Sequence, residues 1–128
     1  MSEFLARTFP VACASDEFFY FPQVRLDERQ WGTWDRFSVE TVDACARRLT
    51  AWEVELDRLK SDHPDLDVQI DITLHQRLSR TLREQLTEVR AWQTQPTFFL
   101  TLACVGLAEA MEAEDPAALH ERAASHPL

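Results

Sequence analysis

The chain has 128 residues, a net charge of −9, and 45% hydrophobic against 27% charged residues, a balance that supplies a core and a solvated surface and argues against disorder. Only two glycines are present, Gly32 and Gly106, which excludes glycine loops that cradle phosphates and disfavours a many-stranded fold. Acidic residues run through both halves with no basic face, so nucleic acid and anionic membranes are not expected partners, and no apolar run approaches the roughly 18 residues that span a bilayer.

Residues 2 to 9 can form a short helix, with Ser2 as cap and Pro10 interrupting it. Between 16 and 37 the chain is crowded with Phe18, Phe19, Tyr20, Phe21, Trp31, Trp34 and Phe37. This segment reads as an irregular lid whose rings plug the ends of a helical bundle, with an aromatic binding surface as the other reading. Ser38 then caps the clearest helix, running to about residue 60. Its Val42, Cys45, Leu49, Trp52, Leu56 and Leu59 recur in steps of three and four, an apolar seam along one face. Ser61 to Pro64 reads as a turn.

From 66 to 74 apolar residues alternate as in a strand, but Ile70, Leu74, Leu78, Leu82 and Leu86 continue at every fourth position with no breaker before Pro96. That length predicts a helix from 67 to 92. A repeat of four outruns the helical period, so this stripe should wind around the helix and meet more than one neighbour. A third long helix, 98 to 112, is apolar nearly all round and should be central or face a second body of protein. Its expected interaction face is Phe98, Phe99, Leu102, Val105 and Leu107. Asp115 and Pro116 open a last helix to about 125. The expected fold is all-α: an aromatic-rich irregular segment over 1–37 and, over 38–128, an antiparallel bundle of about four helices.

The chemistry-bearing constellations are sparse. Asp67, Asp71 and His75 lie at i, i+4 and i+8 and are weak metal candidates, most simply a solvated polar stripe, since a stable site wants three or four convergent ligands. His120-Glu121 lacks a second histidine at position 124, where Ala124 stands, so H-E-x-x-H is absent. Glu109, Glu112, Glu114 and Asp115 read as a solvated acidic elbow, with divalent-ion binding the other reading. Cys13, Cys45 and Cys104 are widely spaced without C-x-x-C, as reduced thiols are. Cys45 and Cys104 sit on apolar faces and are expected in the core. With an acidic N-terminus lacking an apolar h-region, the expected location is cytoplasmic.

Trp34-Asp35-Arg36-Phe37-Ser38-Val39-Glu40 before one long helix, Gln69-Ile70-Asp71 opening a second, and Arg90 to Leu100 (R-A-W-Q-T-Q-P-T-F-F-L) before a third resemble, in order and spacing, the N-terminal helical region of the bacterial family called domain of unknown function eight-eight-five. The resemblance implies a long helical protein that looks like an H-E-x-x-H zinc peptidase, in which zinc-bound water attacks a peptide carbonyl and a glutamate is general base. No catalytic residue carries over to this chain, because the metal motif lies downstream in that family. The expectation is therefore a portion of a longer protein, without cofactor and inactive alone, with zinc belonging to the full-length protein. Its partner would be the remainder of the polypeptide or a second copy in a homodimer.

Overall fold

A computed structural model describes residues 1–25, 31–113 and 115–125. These form helices and no strand: α1 Ser2–Thr8, α2 Pro10–Ala14, a 3-10 turn Asp16–Phe18, α3 Val39–Asp62, α4 Leu66–Glu84, a π-helical turn Gln85–Val89, α5 Ala91–Thr94, α6 Pro96–Glu112 and α7 Pro116–Ala124. The fold is all-α. The chain divides into two compact units, residues 37–91 and residues 1–36 with 92–128.

The unit of residues 37–91 is an antiparallel hairpin of α3 and α4. Ser38 caps α3 by accepting from the Thr41 N–H at 3.2 Å, and Asp65 caps α4 by accepting from the Asp67 N–H at 2.9 Å, each satisfying a donor that the first turn leaves unpaired. The α3 seam is buried at Val42, Cys45 and Leu49, half-buried at Trp52 and Leu56, and exposed at Leu59. It therefore weakens towards the turn that joins the helices. Burial of a side chain such as Leu49 contributes about 2 kcal/mol. Ser79 stands fully buried among these residues with its hydroxyl directed at the Leu49 carbonyl, 3.4 Å away. At the edge, Arg83 Nε donates to Glu53 Oε1 at 3.1 Å.

The second long helix is shorter than its leucine repeat predicts. It passes into the π-helical turn, where the Arg90 N–H reaches five residues back to the Gln85 carbonyl at 3.0 Å. Arg90 then takes the left-handed conformation, φ 52°. A left-handed residue ends a helix, and here it does so without the glycine that normally marks the position.

In the other unit the segment expected to be irregular is helical over most of its first 14 residues. The first helix is interrupted at Pro10 as expected: α1 ends at Thr8, Phe9 before the proline leaves the helical conformation at φ −131° and ψ 66°, and Pro10 itself occupies the first position of α2, where its missing N–H is no loss. Leu5, Phe9, Val11, Ala12, Cys13, Phe18 and Phe21 are buried with Phe98, Leu102 and Ala110 of α6 and Ala118 of α7. Edge-to-face ring pairs, Phe9 with Phe21 and Phe18 with Phe98, both at 5.4 Å between centroids, fix the aromatic segment. Its rings are divided: Phe18 and Phe21 are buried, Tyr20, Trp31 and Trp34 half-buried, and Phe19 is 78% exposed, while Phe37, also buried, belongs to the hairpin unit.

Candidate functional site

Helix α6 turns one side inward, carrying Phe98, Leu102, Ala103, Gly106 and Ala110. The opposite side is nearly as apolar and faces outward. Leu100 is 61% and Met111 65% exposed, Cys104 is exposed between them and Leu107 is half-buried. These four recur at steps of four, three and four, the spacing of a helix seam made to meet another helix. Of the five residues expected to form an interaction face, Phe98 and Leu102 point into the core, Val105 and Leu107 are half-buried, and Phe99 is 42% exposed. The outward line thus runs on the other side of the helix from Phe98 and Leu102. Cys104, expected in the core, is on it. Met111 continues into an open groove shared with Ala110, Asp115, Pro116 and Leu119.

A second exposed line lies on α4. The every-fourth-residue stripe does wind around the helix: Leu82 and Leu86 are buried, Leu78 is half-buried, and Leu74, Ile70 and Leu66 are 57%, 49% and 67% exposed. Near the start of the helix Val68 and Ile72 take the inward positions instead.

The most unusual chemistry is inside the unit of residues 1–36 and 92–128. Arg122 is fully buried, with its guanidinium 4.7 Å from the Trp34 ring centroid and 5.6 Å from that of Trp31. One amino group donates to the Thr33 carbonyl. Among the described residues Nε and the other amino group meet no hydrogen-bond acceptor. Indole faces and the nearby Asp35 carboxyl offset the burial of this charge, and burial still holds the Arg122 pKa below the ordinary arginine value. Asp35 itself accepts from the Val11 and Ala12 N–H groups at 2.7 and 2.8 Å. These are early donors of α2, whose own cap position is Phe9, a residue with no side-chain acceptor. Asp35 supplies the missing cap from 23 residues away. Burial pushes its carboxyl up to about 7, against the pull of those two N–H groups and of Arg122. This pair holds the aromatic segment to α2 and α7. The sequence signal for Arg122 is faint: it follows Ala118 by one helical turn, on the same buried side of α7.

The metal candidates do not converge. Asp67, Asp71 and His75 are exposed, and His75 Nδ1 lies 2.9 Å from the Asp71 carbonyl. Among the described residues no three His, Cys, Asp or Glu side chains gather as metal ligands, so these residues do not fit zinc. In the acidic elbow Glu109 is raised above its ordinary pKa by burial and by the charges of Glu112 and Asp16. Asp115 caps α7 through the Ala117 N–H at 2.9 Å, and Glu114 lies outside the described residues. Cys45 is a core thiol pushed up to about 12 by burial, far from the thiolate a nucleophile needs. No helix among the described residues is long and apolar enough to cross a membrane. Comparison with protein-family models, with curated proteins and with solved structures finds no match to this chain.

Proposed function

We propose that this chain is a helical docking module that packs the outward side of α6 against a second body of protein. The observation that carries this reading is the uncharged line of Leu100, Cys104, Leu107 and Met111 along one face of a long helix, a contiguous apolar surface of the kind that marks protein contacts. The resemblance to the family eight-eight-five supplies the occupant: the remainder of a longer polypeptide. There the module would form one wall of a substrate cleft, with the zinc and its general base contributed by other parts of that polypeptide.

Cys104 is a built-in reporter. In the purified 128-residue chain it should react readily with a maleimide, whereas Cys13 and Cys45, both buried, should react only after unfolding. In the protein as it exists in its own cells Cys104 should be strongly protected. Equal labelling rates of Cys104 in the two settings would remove this proposal.

A further inference from the structure

We infer that two copies of this chain pair through the exposed line on α4, antiparallel and about a two-fold axis. This inference rests on α4 and is independent of the α6 surface.

Leu66, Ile70, Leu74 and Leu78 are successive members of one four-residue ridge. Three steps carry it through about 120° around the helix. A ridge of this kind packs best into the groove beside an identical ridge, with the two axes crossed at about 50°. An identical helix is therefore the natural complement. With the axis passing midway between Ile70 and Leu74 on the outward side of the helix, Ile70 of each copy meets Leu74 of the other, and Leu66 approaches Leu78.

The charges on α4 select both the partner and the direction. Asp67 and Asp71 occupy the first half of the helix, and Arg77 and Arg80 the second half, all exposed. Among the described residues neither Asp67 nor Arg77 makes an ion pair within the chain. A parallel pair would set aspartates beside aspartates and arginines beside arginines. The antiparallel pair centred between Ile70 and Leu74 brings Asp67 of each copy towards Arg77 of the other, twice by symmetry. A C2 interface requires such self-complementarity of a single patch, and α4 has it in both shape and charge order. The remaining net charge of −9 opposes association at long range, so the pairing should tighten when moderate salt screens that repulsion and weaken at high salt as the local pairs are screened.

The test is sedimentation equilibrium of the full chain and four variants, with helicity followed by circular dichroism. The wild type should show a reversible monomer–dimer equilibrium. Ile70→Glu, at a position already half in water, should retain helicity and sediment as a monomer. Asp67→Arg and Arg77→Asp should each weaken the dimer roughly tenfold, the effect of turning two exposed attractive pairs into repulsive ones. Combining the two reversals should restore the wild-type dissociation constant. A wild-type chain monomeric at all concentrations overturns the inference, as does a dimer that survives Ile70→Glu or a double reversal that fails to restore pairing. None of these outcomes bears on the protection of Cys104, so the two readings stand or fall separately.

Discussion

Asp35 joins two roles that pull its proton in opposite directions. As the distant cap of α2 it should be a carboxylate, yet its burial raises the pKa from 3.8 to about 7. The folded chain therefore holds a proton where the unfolded chain has released it. That contribution to stability is full below about pH 4 and is lost as pH rises through about 7, on the order of 4 kcal/mol across the window. Glu109, also raised, acts in the same direction, so a variant is needed to isolate Asp35. Urea unfolding should show the wild type less stable at pH 8 than at pH 5. Asp35→Asn, neutral at both, should be less stable than wild type at pH 5 by roughly 1–3 kcal/mol through the spoiled cap, and should lose most of the pH dependence. A slope unchanged in the variant would assign the effect elsewhere. Nothing local in the sequence announces this cap: positions 11 and 35 are joined only by the fold, and a reading built on neighbours three or four apart passes over them.

Helices were legible in proportion to how locally they are determined. For α3, a serine cap and a regular three-four seam suffice, and the structure starts the helix one residue after Ser38. For α4 the helix was legible but its inward side was not, because the leucines that dominate the pattern are outward where the helix begins, while Ser79 is fully buried. Its end was hidden because a left-handed arginine leaves no compositional mark. The all-round apolar character of α6 was plain, and which side is buried was decided by a residue type easily overlooked. Gly106 lets the Trp34 ring lie directly on the helix: a Cβ there would come within 2.5 Å of the ring. Alanine in place of a mid-helix glycine ordinarily adds up to about 1 kcal/mol of helix stability. At this position the collision should outweigh that gain, so Gly106→Ala should lower the melting temperature and alter tryptophan fluorescence. A raised melting temperature would show that the ring can move aside at little cost.

At the scale of the molecule, the two units differ in how the chain builds them. Residues 37–91 form one unbroken stretch, whereas the other unit is completed only when residues 1–36 meet 92–128, across about 55 intervening residues. Closing so long a loop opposes the second unit entropically, while α3 and α4 need only a short turn. Hydrogen-exchange pulse labelling during refolding should therefore find amides of α3 and α4 protected before those of α2 and α6. Protection of α6 first would contradict this order. An all-α fold was within reach of composition and periodicity. The interleaving of the two units was not, because it depends on contacts such as Phe18 with Phe98 that no periodicity encodes.

The same division has a consequence on the ribosome. Translation proceeds at about 5–20 residues per second, so several seconds separate the emergence of Val11 and Phe18 from that of Gly106 and Phe98, their neighbours in the core. Throughout that interval the nascent chain can complete its central hairpin but carries an N-terminal apolar segment with nowhere to bury it. Codon speed between residues 37 and 91, and any chaperone that shelters the first 25 residues, should thus influence the yield of folded protein more than the same intervention later in the message.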